Sequence, residues 1–478
     1  MLIPLSWARE YAPIDDDGAQ PAEVARRLTT AGLEVESATE VGHDVRGVVV
    51  AEVLEIEELT GHKKPIRFVR LTTGEGGEPH GVICGAVNFS VGDRVPLARP
   101  GAELPGGVRI GARQAYGLMS AGMICSPDEL AIGDDHTGIL VLPADAPLGA
   151  DFAGYAGLPD VVLDTAVTPD RGYALSVRGV ARELASAYGV EFTDPAGTGP
   201  ADDAAGPAPH AAAEVYPASI ADPTACDRFV LREVHGLDTT ARTPLWMRVR
   251  LARCGLRVVS LAVDIANYVM LELGQPLHTF DRSKLDGPIV VRRAEPGEQL
   301  ETLDHVTRTL DPDDILITDS SGPISMAGTI GGIATEIDEN SSDLVIEAAH
   351  FSAQGTARMG RRHKLSTEAS YRFERGVDRE LPLRASARAV SLLASFGGAS
   401  VVPGRTHASV PVSPVTIIMS ASYPDEVAGV VYGRDTVVRR LREVGCELSA
   451  GPIGAADGRP PADGRHLRAE HGRHDRPA

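Results

Sequence analysis

From Val48 the chain changes texture, and this constrains its fold more than any other feature. Four short runs of β type follow one another, VVVAEVLEI, IRFVRLTT, GVICGA and RVPLARPG, with turns such as LPGG at 104–107 between them. Short strands with turn signals at this spacing indicate a small barrel or sandwich of about 100 residues, expected over 42–152. Before it, residues 1–41 read as a short strand and a helix at 21–31, with Val24, Ala25 and Leu28 on one face and Gly32 placed to end it. After it, 153–190 hold a strand (VVLDTAV), a turn (TPDRG) and a helix. Val177, Val180, Ala181, Leu184, Ala185 and Tyr188 form that helix's apolar face, and Arg178, Arg182 and Glu183 are expected to point away.

The chain's 478 residues are too many for one core. Residues 191–214, rich in Gly, Pro, Ala and Asp, read as a linker or mobile loop. A mixed α/β domain is expected over 215–388, where strand-like runs (RFVLREV, PIVVRRA, DILITD, DLVIEAA) alternate with helical ones (LWMRVRLARCG, AVDIANYVMLELG). A further β/α unit begins after Pro411 and reaches Cys446. Residues 447–478 lack aliphatic periodicity and are expected to be disordered.

The net charge of −20 argues against a general nucleic-acid coat but permits a selective RNA binder with local basic patches. The five cysteines are scattered, with no C-x-x-C pair, so neither a disulfide framework nor a zinc site is implied. No signal peptide or membrane-length apolar run is visible, and the cytoplasm is the default address.

Three stretches carry a resemblance, the third made of four ordered blocks. Residues 47–130, with VICGAVNFSVGDRVPLARPGAELPGG and GLMSAGMICSPDEL, are similar to OB-type tRNA-binding barrels. LDTAVTPDRGYALSVRGVAREL follows at 163–184. VDIANYVMLELGQPLHTFD (263–281), ISMAGTIGG (324–332), VIEAAHF (345–351) and LSTEASYRFERGVD (365–378) then appear in order. Together they resemble the beta subunits of bacterial phenylalanine–tRNA ligase. The resemblance implies a multidomain α+β chain. An OB-type β-barrel tRNA-binding domain is inserted in a small α/β N-terminal domain (1–41 and 153–190). A mixed α/β editing (B3/B4) domain follows, then an incomplete B5 domain (409–446).

The resemblance also implies a proofreading site. Tyrosine differs from phenylalanine by one hydroxyl, which an apolar pocket rejects only modestly, so a second site that welcomes the hydroxyl can remove the error. By resemblance Glu347 binds the tyrosyl hydroxyl through a charge-assisted hydrogen bond. His278 orients the ester or its attacking water. Ala327 and Gly331 leave room for the ring, Thr367 and Ala369 form the opposite wall, and Asn267 lies beside the ester. The reaction implied is hydrolysis of Tyr-tRNA(Phe) by a positioned water, with no covalent nucleophile. Ala266 departs from the threonine usual before that asparagine and removes a hydroxyl donor. Without the resemblance, His278 reads as a turn histidine, Glu347 as a strand residue facing solvent or an ion pair, and ARMGRRHKLS as a solvated face.

Lys63, Lys64 and Arg67 in the barrel, and Arg361, Arg362 and Lys364 beside the pocket, are the candidate tRNA contacts. Arg171 and Arg178 can equally hold the fold together. No Walker A loop or class II arginine motif is present. ATP and Mg2+ are implied for the holoenzyme, with no ligands for either on this chain and no metal site. The implied partners are tRNA(Phe) and an alpha subunit in an α2β2 assembly, with no DNA and no membrane. The domains expected beyond Cys446 are missing, and the change of texture there reads as a frameshift or truncated gene. A stand-alone tRNA-binding or trans-editing fragment is the alternative.

Overall fold

The structure, a computed structural model, describes residues 1–15, 20–61, 65–74, 76, 78–197, 215–412, 416–450 and 466–471. Strand Leu2–Pro4 pairs with Asp160–Ala166, which pairs on its other side with Glu34–Val41, all antiparallel. Strands Glu34–Val41 and Asp160–Ala166 are thus neighbours although remote in sequence, and residues 42–159 between them are an insertion. Helix Pro21–Thr30 buries Val24 and Leu28, and Gly32 takes the positive φ that stops it.

The insertion is an antiparallel sheet in the order Met123–Ile124, Arg94–Leu104, Arg46–Glu58, Arg67–Thr72, His80–Cys84, with Val108–Arg109 added to the second strand. Val53, Val69, Leu71, Val82, Val95 and Leu97 fill its concave side. The two end strands do not pair, so the expected barrel is a half-barrel.

The second large unit is a sandwich. One sheet runs Leu277–Asp281, Leu344–Phe351, Cys226–His235, Ser400–Val401, and Thr406–Ser409 also pairs with its third strand. The other runs Ala218–Ile220, Ile289–Arg293, Ile315–Asp319, Gly322–Met326, Ile330–Gly331. Alternate residues of the first sheet (Phe229, Leu231, Phe280, Val345, Ala349, Phe351) meet Ile289, Val291, Ile315 and Ile317 of the second. Its opposite face, with Val234, Leu344 and Ile346, is covered by helices Leu261–Leu273 and Leu381–Gly397. Those helices also meet Trp7, Leu28, Leu163, Val180 and Leu184 in one continuous core. The N-terminal α/β unit and the sandwich are therefore fused by apolar packing.

Three local expectations are corrected. On helix Val177–Tyr188, Arg178 and Glu183 do not point away: they are 8% and 7% exposed. Burial is tolerated because Arg178 grips Asp194 through two bonds of 2.7 Å, and Glu183 accepts from the Tyr173 hydroxyl. Residues 191–197 are not a loose linker. Asp194 is held by Arg178, Thr193 N donates to Tyr11 O, and Arg384 donates to the carbonyls of Ala196 and Gly197. The remainder of the expected linker, 198–214, lies outside the described residues.

The third correction concerns the tail. Strand Thr416–Ser420 pairs with His466–His471, which pairs with Cys446–Ala450. Disorder was expected there because the composition lacks aliphatic periodicity, but ladder bonds are made by the backbone and need no such pattern. Residues 451–465 and 472–478 lie outside the described residues.

Candidate functional site

His278 and Glu347 are directly opposed partners on adjacent antiparallel strands, so their side chains share one face of the first sheet. That face looks into the sandwich. His278 therefore stands on a strand and not in a turn, and Glu347 faces neither solvent nor an ion pair. Glu347 is 5% exposed, with no hydrogen-bond or ion-pair partner among the described residues. Burial pushes its carboxyl up to about 8, so the empty site holds a neutral acid at pH 7. This revises the charged acceptor expected for it: an unpaired carboxylate between two apolar sheets keeps its proton.

Nε2 of His278 is enclosed and unpartnered, and burial lowers its imidazole to about 4. The ring is held edge-on by Phe280, with centroids 4.5 Å apart. The sign of its pH dependence follows. Between about pH 4 and 6.5 the unfolded chain binds a proton at His278 that the folded chain refuses. This contribution is intact above 6.5 and is lost as the pH falls towards 4. His278→Gln should therefore lose less stability than the wild type between pH 6.5 and 4 in denaturant titrations. Parallel curves would count against a neutral imidazole.

The far wall is the segment 327–331. Ala327 is fully buried, and its N–H donates to Ile315 O. At Gly331 a Cβ would stand 2.5 Å from Cε1 of His278, so only glycine lets this backbone lie against the ring. Gly331→Ala should displace the imidazole and destabilise the fold by about 1–3 kcal/mol, because overpacking a filled interior is costly. A variant that unfolds in urea together with the wild type would refute this. Thr367 caps helix Glu368–Phe373, and its hydroxyl donates to Thr329 O at 2.9 Å, tying that helix to the wall. Ala369 sits half-buried in its first turn.

Asn267 lies half-buried on helix Leu261–Leu273, and no hydrogen bond ties it to the His278–Glu347 pair. Ala266 precedes it, also half-buried. Three neighbours were missed in the sequence. Cys226 lies near enough for Glu347 to act on its thiol, whose pKa is raised first by burial. Thr329 has a buried, unpartnered hydroxyl. Gln275 is fully buried and anchors the strand carrying His278 by donating to Ala349 O at 2.9 Å. Thr329 and Gln275 lie inside the GTIGG and GQPLH blocks, which was the available signal; Cys226 had none.

The basic candidates separate. Lys63 and Lys64 lie outside the described residues. Arg67 is held by Glu58 at 2.6 Å, and Arg362, exposed, pairs with Asp314 and with Asp311 at 3.3 Å. Arg361 and Lys364 are exposed, and Arg361 lines a surface cavity of about 350 Å³ with Arg358 and Gln354. Arg171 stays near Glu183 at 3.9 Å. Among the described residues no cluster of three or more His, Cys, Asp or Glu is placed to hold a metal. No described helix is long and apolar enough to cross a membrane.

A family model of the tRNA binding domain matches residues 48–151, the half-barrel, and a B3/4 domain model matches 225–398, the sandwich. The phenylalanine–tRNA ligase beta subunit of Thermobifida fusca is 57% identical over 453 residues, covering 94% of this chain and 53% of that one. That of Streptomyces avermitilis is 53% identical over 461 residues, with 94% and 54% covered. The chain belongs to the phenylalanine–tRNA ligase beta-subunit family. It spans about half the length of the curated relatives it matches. A crystal structure of an N-terminal fragment of the Pyrococcus horikoshii phenylalanyl-tRNA synthetase beta subunit aligns at 14% identity and a TM-score of 0.30. It covers 65% of this chain and 81% of that one. Within the family's two matched domains, the buried His278–Glu347 pair falls inside the B3/4 match.

Proposed function

We propose that this chain is the tRNA-handling and proofreading part of a phenylalanine–tRNA ligase beta subunit, and that the sandwich hydrolyses tyrosine wrongly attached to tRNA(Phe). The observation that carries this reading is a neutral, unpartnered carboxyl buried opposite a neutral imidazole. An apolar aryl group suits the surrounding walls, and its hydroxyl supplies the partner that Glu347 lacks. As a neutral acid Glu347 can both accept from and donate to a phenol, whereas a benzyl ring leaves it unpaired. Neutral His278 retains a free ring nitrogen to hold a water against the ester. Gly331 and Ala327 keep the wall thin, and Thr367 fixes the helix that bears Ala369. Asn267 is assigned beside the ester by resemblance, and Ala266 leaves that edge without a hydroxyl.

The half-barrel and the exposed Arg361 and Lys364 are the proposed tRNA contacts, and an alpha subunit is the proposed partner in aminoacylation. ATP and Mg2+ would serve the whole assembly, and no step assigned to these residues runs through them. Purified chain given Tyr-tRNA(Phe) tests the reading: release of tyrosine, slowed by Glu347→Ala, supports it. Binding without hydrolysis would leave only a tRNA-binding module. Co-purification with an alpha subunit separates a ligase component from a trans-acting fragment.

A further inference from the structure

A cleft of about 310 Å³ lies between the half-barrel and helix Leu261–Leu273. Asn88, Asp135 and Ile139 line its barrel side, and Arg242, Arg248 and Ser260 the other. The acids near it already have donors. Asp135 accepts from N and Oγ1 of Thr137, and Asp264 from Thr243 Oγ1 and Val259 N. The amide of Asn88 is spent on Ile139. The two arginines differ: neither makes an ion pair among the described residues, and Nε of Arg248 is enclosed with no acceptor. Asp264 and Asp135 act on Arg248 only through space, and Arg242 beside it is a like charge, so two guanidinium groups at one cleft have no direct carboxylate contact and leave room for an anion.

A third donor set converges there. The helix is 13 residues long and opens at Ser260, whose extended backbone places it as N-cap while its side chain caps nothing. Asp264 is the acidic residue of the first turn, but its oxygens are taken by Thr243 Oγ1 and Val259 N, so no side chain caps the first N–H groups at this end. We propose that this cleft binds a phosphate group, and that its occupant is a backbone phosphate of the bound RNA. The assignment rests on the tRNA-binding reading. Its two walls belong to the matched tRNA binding and B3/4 domains, so an RNA reaching from one to the other passes it. The same helix leads to Gln275 and His278, on the order of 20 Å away at 1.5 Å per residue. A phosphate fixed at its N-terminus would set the register in which an RNA end approaches the pocket.

The test uses the full chain and measures tRNA affinity against salt concentration. Arg242→Glu should weaken binding about 5- to 10-fold and flatten the slope of log K against log salt by about 1, the loss of one phosphate contact. Arg434→Glu, an exposed change of equal charge on the C-terminal unit, should leave the slope unchanged. Ser260→Asp guards against misfolding, because an N-cap carboxylate stabilises the helix while repelling phosphate. It should raise the melting temperature yet flatten the slope as Arg242→Glu does. A second arm replaces chloride by inorganic phosphate at equal ionic strength. Stabilisation of wild type but not of Ser260→Asp, with unchanged tRNA slopes, would keep the phosphate site and overturn RNA as its source. Unchanged slopes with no phosphate effect would overturn the site altogether. If wild type bound no tRNA, the tRNA-binding reading would fail, and the inorganic phosphate arm would still decide the site.

Discussion

Replacing Glu347 by glutamine should give a more stable protein, and replacing it by leucine should give one that no longer tells tyrosine from phenylalanine. The carboxyl's value of about 8 in the folded chain, against an ordinary 4.5, means the folded state keeps a proton that the unfolded state releases. Stability is therefore full below about pH 4.5, falls as the pH rises towards 8, and levels off beyond. At pH 7 the penalty is on the order of 3 kcal/mol, since each unit of pKa difference corresponds to about 1.4 kcal/mol. Glutamine does not ionise and removes it. The functional cost arises because a site built around a substrate hydroxyl discriminates by leaving its own group unpaired when the hydroxyl is missing. Leucine offers a phenol no partner, so Glu347→Leu should lose roughly 100- to 1,000-fold in the Tyr-over-Phe deacylation ratio, whereas the glutamine amide still accepts and donates as the neutral acid does. Hydrolysis of both esters and urea titrations at pH 5 and pH 8 check the two halves. A glutamine variant that is less stable at pH 8, or a leucine variant that retains the ratio, would show that Glu347 is ionised or lies outside the pocket.

Arg178→Ala should be among the most damaging single changes to the fold. Arg178 is one-tenth exposed at its side chain, holds Asp194 through two bonds, and reaches Asp378 of the sandwich at 3.5 Å. Burial alone would lower its pKa, but the two carboxylates outweigh that and raise it. Asp194 is shifted down although burial opposes the shift. Truncation leaves Asp194 with Arg182 at 3.6 Å and the Ala196 N–H at 2.9 Å. Breaking a buried pair from one side costs about 3–5 kcal/mol, which should lower the apparent melting temperature by roughly 5 °C or more. The double replacement Arg178→Met with Asp194→Leu removes both charges and should recover most of the loss. If the double variant melts no higher than Arg178→Ala, the ion pair is not the cause.

These two residues also mark how far the sequence could be read. Val24 and Leu28, or the run from Leu344 to Phe351, declared their elements because burial and period coincide locally. The ordered blocks around His278 and Glu347 placed the site. Arg178 and Glu183 were read as outward-facing because their partners, Asp194, Asp378 and Tyr173, cannot be paired with them from helical spacing. Residues 191–197 read as linker because Asp-Pro-Ala-Gly is turn text whether or not Asp194 is already committed. The continuous core was hidden for a similar reason: an apolar stripe on Leu261–Leu273 announces a partner without saying which. The proton on Glu347 was illegible as well, since it depends on a second sheet that closes over the carboxyl.

The insertion of the half-barrel has a consequence for the order of events during synthesis. Leu2–Pro4 is made well before its neighbour in the sheet, Asp160–Ala166, and the entire half-barrel separates the two. At 5–20 residues per second the first strand waits roughly 10–30 s for that partner to be made. The half-barrel, whose neighbours along its main ladder are mostly near in sequence, can close in the meantime. Leu2–Pro4 must then be captured late, when Leu2, Ile3 and Pro4 come to lie opposite Asp164, Leu163 and Val162. A ribosome stalled before residue 160 should carry a protease-resistant half-barrel with a frayed, cleavable N-terminal segment.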